Sequence, residues 1–557
     1  MKTNYKLYIL VGLLGLSFTA CELKEDLTSV YNANNAYTTE ENAQEGVNGI
    51  YRYLLGATHT SNFYINDMST DDCFKDGIAF EIYNENGLSG NVELARCYNG
   101  NWQMIGCANT AIDNISMIPE SRFKTADKKP ELLAEAHFLR AFAFYQLTNA
   151  FYRVPLITNG FYEADANPTL ATVEELDDQI EQDLLIATNN LPDEWGTTTE
   201  GASGRPTKGA AYGYLMRLNM RKAGRLREEG KDATAAWQAA LMYADQVITS
   251  GKYALQAKVF DVFDPSKPET LNNNEIIFAI RASDKVPSGS SDLALYFTPW
   301  EYDMGWNNIN MPLELYWKFD SDDQRLKELI VTSFNNVYGK PIKYISPKLN
   351  EVGTLRNEKS NPQIVENDAI YTKKYKYTKP GTYNYNTPNN LILLRYADVL
   401  LCKAEILNEL NGPTQESVDL INKIRERAFE NSNHNYTLAN FASKEDMRSK
   451  LCDERLFELN MEGVRRVDLI RMGLWKDRLD AYMDLVKQKL ETKEANLNAR
   501  RDPNVVKNPY DLSPEWKVYP KFSNPFKPYD KRRYYPIPGV YSNKFPDLQN
   551  NRSFREQ

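Results

Sequence analysis

Histidine is almost missing from this chain of 557 residues: only His59, His137 and His434 occur, far apart. There is also no HExxH helix, no GxSxG turn and no phosphate-cradling GxGxxG or GxxxxGK loop. These absences remove the common signatures of zinc peptidases, serine hydrolases, dinucleotide-dependent enzymes and P-loop NTPases. His137 lies in an alanine-rich helical stretch and reads as a satisfied structural histidine. A glycosidase needs only two carboxylates, and the 75 acidic residues supply many pairs; no catalytic signature accompanies them, and the chain reads as non-catalytic. A positive charge excess is missing too. The net charge is −9, and −11 without Lys2 and Lys6, which argues against nucleic acid or anionic lipid as a partner and favours a neutral ligand. Cysteine is scarce. Setting Cys21 aside leaves five, so at most two disulfides form. Cys97 and Cys107 fall on one helix, about 15 Å apart and beyond bridging reach. A bridge from Cys73 to Cys97 or Cys107 is the pairing to consider, and unpaired buried thiols are the expectation.

Long apolar runs are absent after the first twenty residues. The run from Leu7 to Ala20 follows Lys2 and Lys6, is too short to span a bilayer comfortably, and ends at Phe18-Thr19-Ala20-Cys21. That is the pattern of a cleaved bacterial lipoprotein signal, although Phe18 stands where leucine is usual. Residues 1–20 are then the signal peptide. Cys21 becomes the lipidated N-terminus, carrying enough acyl chains to hold the protein at a membrane surface, and 21–35 form a linker.

What is present, in quantity, is helical patterning. With 42% hydrophobic residues the chain can build a large core. Leu132, Leu133, Ala136, Leu139, Ala143 and Leu147 form one stripe at helical period; Ile180, Leu184, Leu185 and Ala187 form another. Pro206 precedes a third helix through Ala210, Ala211, Leu215 and Leu218, and Trp237 to Ile248 make a fourth. Leu391 to Leu410 reads as a helix stopped by Asn411-Gly412-Pro413, pairing with Ser417 to Ala428. Small alanines beside bulky residues, in helix pairs of this length, match tetratricopeptide (TPR) stacking. The pattern predicts hairpins over 91–150, 172–228, 233–260 with a less regular partner, and 391–429. The fold class is therefore mainly α, a TPR-like helical-hairpin platform (36–260 and 391–480) with inserted loops and short strands (261–390 and 481–557), in a single body from 36 to 557. Glu275 to Ile280 is strand-like. Glu454, Glu458 and Glu462, four apart, read with Arg455, Arg465, Arg466 and Arg471 as a lattice of i,i+3 and i,i+4 ion pairs, and Arg140 and Arg395 as buried ties between hairpins.

Two segments carry ligand chemistry. Tyr296, Phe297, Trp300, Tyr302, Trp306, Tyr316 and Trp317 cluster around Pro299 and Gly305, with Asn307, Asn308 and Asn310 interleaved. Aromatic faces cover the apolar side of a sugar ring while Asn, Asp and Arg take its hydroxyls. The competing reading is that the aromatics are core; it is the better one for Trp317, and for Trp102, which continues into a helical stripe. The second segment is Asn66 to Asp72, then Lys75-Asp76-Gly77 and Tyr98 to Asn101. There Asp71, Asp72 and Asn101 are candidate partners for hydroxyls. No cofactor is expected; calcium on Asp71 and Asp72 is the alternative, without an EF-hand spacing to support it, and an aspartate helix cap is the plainer role.

These segments in order resemble the SusD/RagB family, the surface lipoproteins that cap outer-membrane nutrient importers of Bacteroidetes-type bacteria. The matching stretches are Ala36 to Tyr51, Leu133 to Ile157, Gln179 to Pro192, Gly204 to Leu218, Asn273 to Ile280, Leu394 to Glu405, Asp453 to Arg471 and Pro536-Ile537-Pro538. The resemblance implies that Cys21 is the anchor and that Lys24-Glu25-Asp26 directs the protein to the outer face of the outer membrane. It implies docking on a SusC-like TonB-dependent β-barrel transporter. It places sugar-stacking aromatics at Trp300 and Trp306, with Tyr296 and Tyr302 as lesser candidates and polar residues of the early segment completing the site. The expected function is capture of oligosaccharides or polysaccharides for that transporter. The alternatives are an oligopeptide-binding member of the same family, which needs main-chain partners and side-chain pockets rather than a flat aromatic shelf, and a structural lid with no ligand site, which requires Trp300 and Trp306 to be buried.

Overall fold

Side-chain caps open the helices where the apolar stripes begin. Thr39, Asn91 and Thr207 each accept a backbone N–H from the first turn that follows them, and Thr172 forms a capping box with Glu175. The helices are α1 (Glu40–Asn66), α2 (Val92–Met117), α3 (Lys128–Phe151), α4 (Val173–Asn190), α5 (Lys208–Glu228) and α6 (Thr234–Thr249), followed late in the chain by α7 (Tyr396–Asn411), α8 (Gln415–Phe429), α9 (Lys444–Leu459), α10 (Arg465–Arg471) and α11 (Trp475–Arg500). This computed structural model describes residues 36–73 except 69, 88–160, 167–195, 204–264, 273–282, 291–298, 305–306, 309–335, 341–343, 350, 369–376, 387–500, and 533–548 except 546. The signal and linker, with Cys21, lie outside the described residues.

The architecture is the mainly helical hairpin platform; the hairpin expected over 391–429 is formed by α7 and α8, and the earlier ones are shifted by one helix from the expected register. α1 packs most closely along α2, α3 along α4 and α5 along α6, while α7 packs to a similar extent along α6 and along α8. The α2–α3 and α4–α5 contacts, expected inside hairpins, are the joints between them. The omitted element is α1, whose buried Ala43, Val47, Ile50 and Leu54 are diluted by polar neighbours. Consequently α6 has a regular partner in α5, and residues 481–500, expected as loop, continue α11. Cys73, Cys97, Cys107, Cys402 and Cys452 are free thiols, all buried except the partly exposed Cys107, and Cys97 and Cys107 share α2.

Between α6 and α7 the chain makes short strands: β1 (Ile276–Ile280), β2 (Met311–Pro312), β3 (Ile330–Val331), β4 (Ser333–Asn335), β5 (Pro341–Lys343), β6 (Ala369–Thr372) and β7 (Leu391–Arg395). β1 pairs antiparallel with β7, β6 lies between β2 and β3, and β4 pairs with β5. The helix expected from Leu391 thus starts at Tyr396. Leu391 to Leu394 are apolar at every position and all buried, a run compatible with either period.

Buried ions join this insert to the platform. Glu458 of α9 accepts from Arg395 of β7 at 2.7 Å, Arg427 of α8 at 2.5 Å and Arg325 of the short helix Gln324–Leu329 at 3.2 Å. Glu454 binds Arg325 and Arg425, while Glu462 binds Arg395 and Lys374. Arg395 and Arg427 also reach Glu275, next to β1. The three glutamates therefore meet cations from distant segments rather than from their own helix, because their side chains are 0–4% exposed and a buried carboxylate must be paired. A second chain of pairs runs from Arg217 of α5 to Asp398 of α7, Arg455 of α9 and Asp468 of α10, with Arg471 on Glu405. Arg140 ties α3 to Asp183 of α4 and Asn109 of α2, with His137 on the same aspartate at 2.6 Å. Arg395, a tie as expected, stands on a strand rather than a helix.

Glu458→Gln leaves three guanidinium groups short of one negative charge. It is expected to cost about 3–5 kcal/mol of stability, read as a lowered urea midpoint at unchanged slope. The arginines around Glu458 and Asp398 hold both carboxyls well below their usual range despite burial, and Arg465 holds Asp71 at about 2. Stability from these three groups is complete above the ordinary carboxyl range and is lost as pH falls from about 4 toward 2 and below. Acid titration followed by circular dichroism is expected to show this loss, reduced in the Glu458→Gln variant.

Candidate ligand-binding site

The aromatic segment folds back on the short helix Leu293–Phe297. Leu293, Ala294, Leu295 and Phe297 are buried, and the Phe297 ring meets Phe63 of α1 edge-on at 5.0 Å and Tyr375 at 4.4 Å. The Trp306 N–H donates to the Leu295 carbonyl at 2.6 Å and the Ile309 N–H to the Tyr296 carbonyl at 2.8 Å. Gly305 permits this return, since a Cβ there would stand 2.0 Å from the Thr298 carbonyl oxygen. The outcome is a tryptophan 43% exposed, its ring 5.2 Å from Tyr296 at 81°.

Charged groups from α2 act on Tyr296, the residue whose ring meets the indole. Asn91 caps α2 by accepting the N–H groups of Glu93 and Leu94, which sets Glu93 in the first turn, where the helix dipole favours a carboxylate. Arg96 Nη1 donates to both Glu93 oxygens, at 2.8 and 3.0 Å. Burial pushes the Tyr296 phenol up to about 12, with Asp292 and Glu93 adding to the shift and Arg96 opposing it. Tyr64, at the end of α1, is raised by burial, then by Glu93 and Tyr296. Both phenols therefore remain protonated at neutral pH. The group offers an aromatic face and the half-exposed Arg96 guanidinium, with Glu93 buried and holding that guanidinium, a set that covers the apolar side of a sugar ring and donates to its hydroxyls.

Of the residues singled out in the sequence, Trp306 and Tyr296 come together here. Trp300, Tyr302 and Asn307 lie outside the described residues, as do Asn308 and Lys75 to Gly77. Asp71, Asp72 and Asn101 do not join the site; they are 2%, 0% and 0% exposed. Asp71 accepts Arg465 Nε at 2.7 Å and Nη2 at 2.9 Å, Asp72 accepts the Met461 N–H at 2.7 Å, and Asn101 turns back to the Cys97 carbonyl at 2.8 Å. The turn after α1 packs beneath α10, which places these polar groups inside the fold instead of facing a ligand. Both oxygens of Asp71 are taken by Arg465. Among the described residues no group of three or more His, Cys, Asp or Glu is arranged to hold a metal ion. Trp102 and Trp317 are partly buried against the core. The lid reading requires a buried Trp306, which its exposure opposes. Tyr64, Glu93 and Arg96 were not evident from sequence; their only signal was the Asn91-Val92-Glu93 helix start, informative once α1 and α2 are known to lie side by side.

Two family models match this chain. One, described as the SusD family, covers residues 274–554, and one described as starch-binding associating with outer membrane covers 22–220. Relatives from Formosa agariphila include SusD-like protein P2, 25% identical over 499 residues (85% of this chain, 91% of the relative), and SusD-like protein P25, 24% identical over 538 residues (90% and 94%). Among solved structures, a SusD homolog from Bacteroides thetaiotaomicron superposes with a TM-score of 0.67 at 22% identity, covering 91% of this chain and 96% of the other. Surface glycan-binding protein A from Bacteroides thetaiotaomicron, in complex with laminarihexaose, gives 0.65 at 18% identity, covering 92% and 100%. At these identities the structural likeness speaks for the fold alone. With half of its length matched by one family model and most of the remainder by the other, the chain belongs to the SusD family.

Proposed function

We propose that this protein is a non-catalytic, lipid-anchored glycan-binding protein of the outer membrane, facing the cell exterior. In this reading it captures oligosaccharides at the Trp306 shelf and passes them to a SusC-like TonB-dependent transporter. The observation that carries the reading is the exposed Trp306, clamped at its backbone and in edge contact with Tyr296, on which Asp292, Arg96 and Glu93 act. Two further facts support it: one matching family model is described as starch-binding associating with outer membrane, and a fold neighbour is solved with laminarihexaose. The anchor at Cys21 rests on the lipoprotein signal, and the transporter on family membership.

Recognition follows from the physics of the shelf. The indole covers the C–H side of a sugar, and Arg96, held by Glu93, donates to its hydroxyls. Trp306→Ala is expected to remove about 1.5–3 kcal/mol of binding, roughly a ten- to hundred-and-fifty-fold rise in Kd, with the melting temperature unchanged. The check is calorimetry on a form lacking residues 1–21, against polysaccharides and peptides. Binding of peptides alone, or glycan binding indifferent to Trp306, would count against this reading. Gly305→Ala is expected to weaken glycan binding as well, since the displaced backbone releases the indole; parallel calorimetry tests it.

A further inference from the structure

α10 packs against α1 and α5, and the joint is polar on both sides. Arg465, Arg466, Asp468 and Arg471 of α10 are buried there, and α1 contributes Asn62 and Asn66, 6% and 5% exposed. The fit leaves a cavity of ≈30 Å³, lined by Asn62, Asn66, Asn149 of α3, Arg455, Asp468 and Arg471 among others. That is room for about one or two water molecules.

The two asparagines stand one turn apart and share a hydrogen bond, in which Asn66 Nδ2 donates to Asn62 Oδ1 at 2.8 Å. One end of the Asn66 amide is thereby used. The other end, Oδ1, is buried and has no hydrogen-bond partner among the described residues. Asn62 is confined from the far side by Gly463, where φ is 77° and a Cβ would stand 1.7 Å from Asn62 Nδ2. A buried amide oxygen left unmet is costly, and in folded proteins such groups are met by protein or by ordered water.

We propose that this cavity is a specific hydration site, in which about one or two water molecules bind the Asn66 side chain and bridge α1 to the polar groups of α10. The charges on the lining select a neutral guest. Arg217, Arg455 and Arg471 all face the cavity, and each is already paired: Arg217 with Asp398, Arg455 with Asp398 and Asp468, and Arg471 with Asp468 and Glu405. Glu462, also on the lining, is taken by Arg395 and Lys374. An anion or a cation added here would bring a buried charge without a counter-charge. Water both donates and accepts, so it satisfies the Asn66 amide in either of its orientations, and the remaining polar lining supplies the further partners that a buried water takes. The site belongs to the joint between the platform and α10, and it needs no glycan.

A crystal structure of the form lacking residues 1–21, at a resolution that shows ordered water, tests the proposal. Density within hydrogen-bond distance of the Asn66 side chain, touching at least one further polar group of the lining, is the expected result. No density there, or an Asn66 amide partnered by another side chain, would overturn the site. Crystals soaked in bromide and, separately, in rubidium are expected to give no anomalous peak at that position; a peak in either would overturn the neutral guest. Asn66→Leu keeps roughly the size of the side chain and removes both of its hydrogen-bonding ends. It is expected to lose the density while α10 stays in its wild-type place, whereas water retained at the same position would show that Asn66 does not hold it and would count against the proposal. The wild-type and soaked crystals decide the matter if the variant does not fold.

Discussion

One carboxylate shared by three guanidinium groups organises the molecule. Glu458 lies fully buried between Arg325, Arg395 and Arg427, and each arginine arrives from a different part of the chain. An ion that has left water must find its partners or unfold the region around it, so the insert between α6 and α7 cannot drift from the platform while this cluster is intact. Glu454, Glu462 and Glu275 extend it, and Lys374 carries it to the turn before α10. Buried pairs of this kind add modest net stability compared with apolar packing; what they impose is a specific arrangement, because a shifted register leaves charges unmatched.

The ligand shelf inherits that arrangement. Trp306 is clipped to the helix Leu293–Phe297, Phe297 wedges between Phe63 of α1 and Tyr375, and the Tyr375 hydroxyl reaches the Met461 carbonyl. A continuous set of contacts therefore links the exposed indole to the ionic centre. The polar rim comes from the platform itself, through Glu93 and Arg96 on α2. The site is thus assembled across the two parts that the buried ions hold together, which suits a surface that must present a rigid aromatic face to a flexible sugar.

Much of this was legible in the chain. Stripes such as Leu132 to Leu147 located α3, and the Gly305 neighbourhood, rich in aromatics and turn formers, marked the segment that exposes Trp306. Other features depended on tertiary context. Leu391 to Arg395 is apolar enough to be helix or strand, and only pairing with β1 decides. Glu454, Glu458 and Glu462 have helical spacing, but Glu462 lies beyond the end of α9 and all three look inward, which no spacing reveals. Asp71 and Asp72 share the composition of an exposed polar loop, yet Arg465, distant in sequence, draws Asp71 inside. Glu93 and Arg96 carry no motif; their value arises from the packing of α2 on α1.

The most direct test is a crystal structure of the protein lacking residues 1–21, soaked with a neutral oligosaccharide that it binds in solution. A sugar ring stacked on Trp306, with a hydroxyl within hydrogen-bond distance of Arg96 or Asp292, is the predicted result. Density for the sugar elsewhere, with the Trp306 face covered by the protein's own chain, would contradict the account.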